Sequence, residues 1–243
     1  SEWATVSQPE TMLDNWVMGG TLAVTSITTT WTAACRFVAD RKNHKLDDFI
    51  LSDTPFFKIT IGYLLSASII GAFMQIIMFS IMSIYFAWQD GLEIDFLKLP
   101  QLLLIMMISS ILGASLGMIL AQLVKSLEVA ERLSIIIGTA SGFLVGVYMP
   151  VGGLPAFAQH LIKVTPAAYV AAAYRQLLMQ DNFKEWVLNQ QSSQSIKLYL
   201  GIGLQIHHHL TTYYEDLLLT GGIIILAFII LGMFQLVYRR RLR

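Results

Sequence analysis

The apolar positions of this chain form long runs that are separated by short polar stretches. Such runs predict membrane-spanning helices, because an α-helix needs about 20 mostly apolar residues to cross a bilayer. We expect five spans, with predicted bounds at 16–38, 56–88, 99–124, 133–149 and 217–238. The pattern therefore predicts an all-α integral membrane fold in which residues 1–243 form a single transmembrane domain.

Glycines recur every fourth residue in the third and fourth predicted spans. Residues four apart lie on one face of a helix, and small residues on that face let two helix backbones approach closely. We therefore predict helix packing at these glycines, which are Gly113, Gly117, Gly138, Gly142 and Gly146.

Prolines interrupt the chain after the fourth predicted span. Proline suits the first turn of a helix but not its interior. We expect the fourth span to stop at Pro150, a short helix to begin at Pro155, and another to begin at Pro166 with Thr165 as its N-cap. The alternative is an ordinary surface loop after a spanning helix.

Arg175 lies in the segment that follows these prolines. A charge that is buried deep in hydrocarbon without a partner costs several kcal/mol. We therefore expect its guanidinium at the outer interface, where it reaches water or pairs with Glu215 or Asp216.

Threonines mark one side of the first predicted span, and polar or flexible side chains lie in the middle of the second. Hydroxyls within a span bond to their own helix or to a neighbour, and an amide normally faces the bundle interior. The threonine side is either a helix-packing face or a partly polar wall for a substrate. The predicted substrate path consists of Thr25, Thr28, Thr29, Thr32, Met74, Gln75 and Met78.

The connection between the first and second spans is the most charged part of the chain. Leu46, Phe49 and Ile50 have the i, i+3, i+4 spacing of an amphipathic helix, and Asp47 and Asp48 lie between them. Apolar anchors ringed by polar groups suit the centre of a protein–protein contact. We expect Phe49 to insert into a groove of a partner chain, and the alternative is a helix that rests on lipid headgroups.

The composition supports a membrane location. Of the 243 residues, 55% are hydrophobic and 13% are charged, and the mean hydropathy is +0.62, whereas soluble domains carry about 25% charged residues. The formal net charge of +0 gives no indication of nucleic-acid binding. The sequence contains no Gly-rich phosphate-binding loop and no dinucleotide fingerprint. Energy from a nucleotide must therefore enter from another chain or from a missing segment.

Few residues indicate chemistry within the chain itself. The one cysteine, Cys35, excludes an internal disulfide, and no Asp, Glu or His lies well inside a predicted span. His207, His208 and His209 are consecutive, so they cannot all face one metal ion from a regular helix or strand, although a loop would allow it. We expect no catalytic residue, no metal site and no resident cofactor.

The placement of lysine and arginine orients the spans. The positive-inside rule assigns to the cytoplasm the connection after the first span, the turn after the third, and the arginine-rich C-terminal tail. Five spans then place Ser1 outside, and we expect a further first helix in the full protein, which makes six spans. The expected location is the plasma membrane of a bacterium, with the C-terminus in the cytoplasm.

Three segments together resemble the ABC-2 family, the membrane subunits of type-2 ABC exporters. They are Asp40 to Pro55, Tyr148 to Pro155, and Thr165 to Arg175, the last of which contains Pro166 and Tyr169. The resemblance implies a homo- or heterodimer of permease subunits, each held by an ABC ATPase subunit that binds ATP and Mg²⁺. It also implies that the helix around Leu46 is a cytoplasmic coupling helix. Residues 155–180 would form re-entrant helices at the outer face.

Within that family, the sequence favours the drug and lipid-like exporters. The spans offer Met, Phe and Thr rather than buried charges, which suits an amphiphilic substrate in contact with membrane lipids. A polysaccharide exporter is one alternative. A secondary transporter is a second, and it predicts buried ionisable groups and internal repeats. A membrane-embedded hydrolase or transferase is a third, and it needs a nucleophile and a base at membrane depth.

Overall fold

Helices form nearly all of the regular structure in the part of the chain that the computed structural model describes, which is residues 9–46, 54–93, 95–181, 190–206 and 209–241. They are α1 (Pro9–Lys42), α2 (Phe56–Gln89), α3 (Leu99–Leu123), α4 (Leu127–Leu144), α5 (Ala156–Val164), α6 (Pro166–Leu178), α7 (Gln190–Leu200) and α8 (Tyr213–Arg241). Single turns of 3₁₀ helix lie at Phe96–Lys98 and Val151–Gly153. The strands β1 (Gln205–Ile206) and β2 (His209–Leu210) form an antiparallel pair.

The first helix, α1, is the one around which most of the others pack. It contacts α2, α3, α4 and α6, whereas α8 packs mainly against α3 and α6. α1 begins at Pro9, ahead of the predicted start at Trp16, so the described residues before Trp16 belong to this helix. Met12 and Trp16 are buried against Met179 and Leu200, since this side of the first turns is apolar.

Two clusters of buried side chains form most of the core, one toward each end of the bundle. One joins the first half of α1 to the end of α2, the start of α3 and α6, and includes Leu22 and Met106. The other joins the second half of α1 to the start of α2 and the end of α3, and includes Phe37, Leu64 and Met118. α1, α2 and α3 therefore alternate in direction, as the short connections between them require.

The fourth long helix begins earlier than the sequence predicted. α4 starts at Leu127 rather than Leu133, and the Ser126 hydroxyl caps it by accepting a hydrogen bond from the amide of Val129 over 3.3 Å. The turn between α3 and α4 is therefore shorter than the predicted charged turn.

The same helix also ends earlier than predicted, at Leu144 rather than at Met149. Gly146 adopts a φ of +70°, and the amide of Val147 donates to the carbonyl of Gly142 over 2.9 Å. This bonding pattern ends a helix at a glycine in the left-handed conformation. The helix therefore stops before it reaches the proline that was predicted to end it.

The glycines of α3 lie against α1. A Cβ atom at Gly113 would lie 2.4 Å from the Oγ1 atom of Thr30, and a Cβ atom at Gly117 would lie 3.3 Å from the Cβ atom of Ala34. These two glycines therefore lie in the contact between α1 and α3.

The glycines of α4 differ from the predicted helix packing. A Cβ atom at Gly138 would meet nothing within 4 Å, and one at Gly142 would meet the ring of Tyr148, which follows the same helix, at 2.3 Å. Gly146 lies beyond the end of α4. The four-residue spacing therefore does not mark a contact between α4 and another helix, because these positions face open space or the chain that follows α4.

The two short helices after α4 begin where the prolines predicted. α5 starts directly after Pro155, and α6 starts at Pro166. Thr165 is the N-cap residue of α6, as predicted, but its side chain makes no capping hydrogen bond, since its hydroxyl donates to the carbonyl of Leu161 over 2.9 Å. Separate helices rather than one straight helix therefore follow the break.

The polar region before the last span contains more structure than its composition indicated. α7 buries Ile196 and Leu200, and β1 and β2 follow it. His209 lies in β2, with its Nε2 atom 3.3 Å from the carboxylate of Glu215. His207 and His208 lie outside the described residues, as do residues 182–189.

Three stretches of the described chain are long and apolar enough to cross a membrane, namely Phe56–Gln89, Phe96–Leu123 and Tyr213–Phe234. They coincide with the second, third and fifth predicted spans. α1 is long but rich in threonine, and α4 has 18 residues with charged groups in its first turns, so composition alone does not mark them as spans. The described structure is that of a helical membrane protein.

Replacing single glycines by alanine tests the contact between α1 and α3. Alanine in place of glycine usually stabilises a helix by about 1 kcal/mol, so Gly138→Ala is expected to raise the thermal midpoint of the purified protein. Gly113→Ala is expected to lower it, because the added Cβ atom would overlap the Thr30 hydroxyl. The thermal midpoints of the parent and of both variants would be measured in the same detergent. A similar increase for both variants would contradict the described packing.

Candidate functional site

The guanidinium of Arg175 on α6 is deeply buried, since this residue is only 1% exposed. It donates to the carbonyl oxygens of Val145 over 3.1 Å, Gly146 over 3.0 Å, Gly201 over 3.4 Å and Trp16 over 3.4 Å. Its Cζ atom also lies 4.7 Å from the centre of the Trp16 ring. The Arg175 side chain thus connects α1 and α6 to the residues directly after the ends of α4 and α7.

This environment corrects the prediction that the guanidinium of Arg175 reaches water or pairs with a carboxylate. Neither predicted carboxylate is its partner: Asp216 accepts a hydrogen bond from Gln176 over 2.8 Å, and Glu215 accepts one from the amide of Thr212 over 2.8 Å. A guanidinium has five N–H donors. Backbone carbonyls satisfy most of these donors, so the charge is buried without a carboxylate.

Two adjacent glycines give the arginine its space on α1. A Cβ atom at Gly20 would lie 2.7 Å from the Nη2 atom of Arg175, and one at Gly19 would lie 3.0 Å from its Cγ atom. On the opposite side, Gly201 has a φ of +67°, which favours glycine, and turns its carbonyl toward the guanidinium. The Gly19-Gly20 pair is the sequence signal that would have indicated a close contact here.

A second buried polar group forms around Gln75 of α2, which is completely buried. Its Nε2 atom donates to the hydroxyl of Ser110 over 2.7 Å. Its Oε1 atom accepts hydrogen bonds from the hydroxyls of Tyr174 over 2.6 Å and Ser109 over 3.0 Å. The predicted role of Gln75 on a substrate path does not agree with this arrangement, because its amide is used to join α2, α3 and α6.

The two methionines of the predicted path also differ in position. Met74 is 40% exposed on the outer side of α2, whereas Met78 packs against the core cluster that contains Leu22. The structure therefore does not bring the α2 residues of the predicted path onto one surface.

The predicted path residues on α1 do share a surface. Thr25, Thr28 and Thr29 are half-buried and Thr32 is exposed. Each hydroxyl donates to the carbonyl four residues earlier in the same helix, over 2.6–2.9 Å. The stripe consequently presents methyl groups and satisfied hydroxyls outward, on a side of α1 that other described helices leave partly open.

An apolar cavity of about 250 Å³ lies between α1, α3, α4 and α6. Its walls include the side chains of Ile27, Trp31, Leu112, Leu116, Ile137 and Leu144. Ser26 also lines it, and among the described residues the Ser26 hydroxyl has no hydrogen-bond partner. The cavity suits an apolar group and offers one hydroxyl to a polar atom.

At the other end of α1, charged side chains hold the helix against α2. The carboxylate of Asp40, which is 8% exposed, accepts a hydrogen bond from the Tyr63 hydroxyl over 2.8 Å. It also lies 3.3 Å from the Nε atom of Arg36 and 3.8 Å from the Nζ atom of Lys45. These contacts fix the end of α1 where the chain leaves the bundle toward the predicted coupling helix.

The same end of α1 is also fixed to the turn between α3 and α4. Arg41 donates to the carbonyls of Gln122 and Val124, and the Nζ atom of Lys42 lies 3.2 Å from the Glu128 carboxylate. The hydrogen bond from Lys42 lowers the pKa of Glu128. Of the predicted coupling residues, Leu46 is buried in the core, and the other four, at 47–50, lie outside the described residues.

Comparison with known proteins identifies the family of this helical membrane protein. The model of the ABC-2 type transporter family matches residues 3–179, which is more than half of the chain. The chain therefore belongs to the ABC-2 type transporter family, whose members are membrane components of transporters and normally work with an ABC ATPase. The match ends before α8. No curated protein and no solved structure matches the chain.

Replacement of Arg175 tests whether it holds the helix ends together. Each hydrogen bond to a charged donor contributes about 1.5–3 kcal/mol, so Arg175→Met is expected to lower the thermal midpoint strongly. Arg175→Lys should give an intermediate midpoint, because one ammonium cannot reach all four carbonyls. Arg132→Met removes an exposed arginine and is the control. Equal midpoints for Arg175→Met and the control would contradict this role.

Proposed function

We propose that this chain is the permease subunit of an ATP-binding cassette exporter that moves an amphiphilic substrate, a drug or a lipid-like molecule, across the plasma membrane. The observation that carries the proposal is the apolar cavity between α1, α3, α4 and α6. ATP hydrolysis takes place in a separate ATPase subunit with Mg²⁺, and this chain converts the resulting motion into transport.

The chemistry of the cavity favours an amphiphile over a polysaccharide. A sugar chain carries many hydroxyls, and each one that loses water needs a hydrogen-bond partner. The cavity offers mainly aliphatic groups and the ring of Trp31, with the free hydroxyl of Ser26 among them. Such a site can take an alkyl or aromatic portion and bond to a single polar atom.

A second permease subunit accounts for the exposed sides of α1 and α4. α4 has its principal contact with α1, and Ile135, Ile136 and Phe143 are more than half exposed. The threonine side of α1 is also partly open. We place the second subunit, of the same or a related sequence, opposite these surfaces, so that the substrate passes between two copies and remains accessible from the lipid.

The ATPase is proposed to bind at the end of the bundle where Asp40, Arg41 and Lys42 fix α1 to α2 and to the turn before α4. A force applied beside this end reaches α1 and its three neighbours α2, α3 and α4, because Tyr63, Gln122 and Glu128 of these helices are bonded to α1 there. Of the predicted contact residues, Leu46 is buried in the core and is therefore not available to a partner, and Asp47, Asp48, Phe49 and Ile50 follow it in sequence. Phe49 is the proposed anchor in the groove of the ATPase, and the two aspartates set its register.

Filling the apolar cavity tests the substrate proposal. Ala140 lines the cavity, and Ala140→Trp would occupy it. Efflux of rhodamine 6G and outward movement of fluorescently labelled phosphatidylethanolamine would be measured in cells that also express the ATPase. We expect at least one rate to fall about tenfold, because the indole would take the place of the apolar portion of the substrate, and a tenfold change corresponds to about 1.4 kcal/mol of binding energy.

Ala87→Trp is the matched control, because Ala87 is exposed near the end of α2. Both variants must be present in membranes at the parent level. If the parent moves neither probe, or if Ala140→Trp moves both at the parent rate, the cavity is not a site for amphiphilic substrates.

Truncation of the proposed anchor tests the coupling contact. Removal of a central aromatic anchor typically costs about 2 kcal/mol or more of binding energy, so Phe49→Ala is expected to weaken binding of the ATPase and to abolish stimulation of its activity by substrate. Phe96→Ala is the control, since Phe96 is an exposed aromatic at the other end of the bundle. Unchanged co-purification and stimulation would move the coupling role to the turn between α3 and α4.

A further inference from the structure

A second cavity lies at the end of the bundle opposite the proposed ATPase contact. It has a volume of about 300 Å³ and lies between the start of α1, the end of α2 and the start of α3. The apolar side chains of Met18, Phe79, Leu102 and Leu178 form one part of its wall. The cavity is separate from the apolar cavity described above, and no described function uses it.

Acidic side chains form the other part of this wall. Glu93, Asp95 and Asp181 line the cavity, and Lys98 is the one basic residue that lines it among the residues that the structure describes. Three carboxylates and one ammonium give an excess of two negative charges. Lys98 forms an ion pair with Asp181, while Asp95 also accepts a hydrogen bond from the amide of Leu97 over 2.9 Å. The cavity thus combines an apolar wall with a negative rim.

Another carboxyl pair adds to the negative potential at this end. Asp14, which precedes the predicted span of α1, lies close to Asp90. Burial and the neighbouring Asp90 charge raise the pKa of Asp14 to about 6. A nearby cation would relieve this repulsion.

A buried hydroxyl without a partner is an independent indication that a polar ligand belongs in the cavity. Ser83 of α2 lines the cavity and is 3% exposed, and its Oγ atom has no hydrogen-bond partner in the described structure. Ser68 and Ser80 of the same helix instead donate to the carbonyls four residues earlier, over 2.9 Å and 2.8 Å. A buried hydroxyl that makes no hydrogen bond is costly. The Ser83 hydroxyl, unlike those of Ser68 and Ser80, is therefore oriented toward a partner that is not part of α2.

We propose that this cavity binds the ammonium group of an amphiphilic cation. The carboxylates of Glu93 and Asp95 attract the positive charge, the Ser83 hydroxyl accepts a hydrogen bond from the ligand or donates one to it, and the apolar wall holds the attached carbon chain or ring. A small metal ion would not use the apolar wall. The ligand is either a soluble organic ammonium ion or the ammonium headgroup of a membrane lipid, since both present the same group.

Ligand-observed NMR titration of the purified full chain in detergent tests the proposal, and it does not depend on transport. The probe is the benzylammonium ion, whose N–H groups can donate to Ser83, with benzyl alcohol and benzenesulfonate as the neutral and anionic comparisons. We expect saturable binding of the cation alone. Glu93→Gln combined with Asp95→Asn should weaken it about tenfold through the loss of two charges, and the Asn side chain can still cap the following turn.

Lys98→Met is expected to have the opposite effect. It removes the one described basic residue that lines the cavity, so the cation should bind more tightly than to the parent. A variant that merely unfolds cannot bind more tightly, which separates an electrostatic role from a structural one. Glu131→Gln removes an exposed carboxylate from α4, outside this cavity, and should leave binding unchanged.

Competition then identifies the source of the ammonium group. Displacement of the probe by dihexanoyl phosphatidylethanolamine but not by dihexanoyl phosphatidylglycerol assigns the site to a lipid headgroup. Binding that neither lipid displaces assigns it to a soluble cation. Equal binding of the three probes, no effect of the double variant, or displacement by Ca²⁺ at constant ionic strength at lower concentration than the probe would each overturn the proposal.

Discussion

The burial of one positive charge governs how this bundle is assembled. A charged group inside a protein must find partners, because the loss of its water is otherwise too costly. Arg175 finds them at the carbonyls of Val145, Gly146 and Gly201, which follow the C-terminal ends of α4 and α7. The last carbonyls of a helix have no partner within it and carry partial negative charge. The arginine and the two helix ends therefore satisfy each other, and the arrangement needs no carboxylate.

This requirement fixes the shape of the neighbouring segments. α4 has to stop early enough for its end to face the guanidinium, and the left-handed Gly146 allows that. α1 has to pass close to the arginine stem, which Gly19 and Gly20 permit. The Gln75 network begins at Tyr174, the residue before the arginine, and joins α6 to α2 and α3. Two adjacent residues of α6 thus hold most of the long helices together.

The sequence predicted the coarse architecture because long apolar runs, proline positions and basic connections are local features. It correctly placed the second and third long helices and the starts of α5 and α6, and it indicated the family.

The sequence did not predict the partners of Arg175. Every residue has a backbone carbonyl, so the residue pattern does not show which carbonyls accept a hydrogen bond, and the only acceptors visible in the sequence were Glu215 and Asp216. Gln75 was given a role in a substrate path for a similar reason, because its serine and tyrosine partners come from distant helices. The glycine spacing in α4 matched that in α3, but only the tertiary structure shows which side of each helix has a neighbour. Gly146, whose left-handed conformation ends α4, was visible in the sequence, but the prediction took Pro150 as the end of the helix instead.

The two ends of α1 are held by different kinds of contact, and this difference bears on how a membrane subunit can transmit force. At the end near Asp40, a partly buried hydrogen bond from Tyr63 to Asp40 joins α1 to α2, and an exposed ion pair between Lys42 and Glu128 joins α1 to α4. Exposed pairs of this kind typically contribute about 0–1 kcal/mol, so they can rearrange when a partner binds. At the other end, the buried guanidinium and its carbonyls require all of their contacts together, because any one that is lost leaves a buried polar group unsatisfied. Motion that enters at the Asp40 end is therefore expected to move α1 as a unit, while the end held by Arg175 stays fixed. The threonine face of α1 and its side of the apolar cavity would move with it.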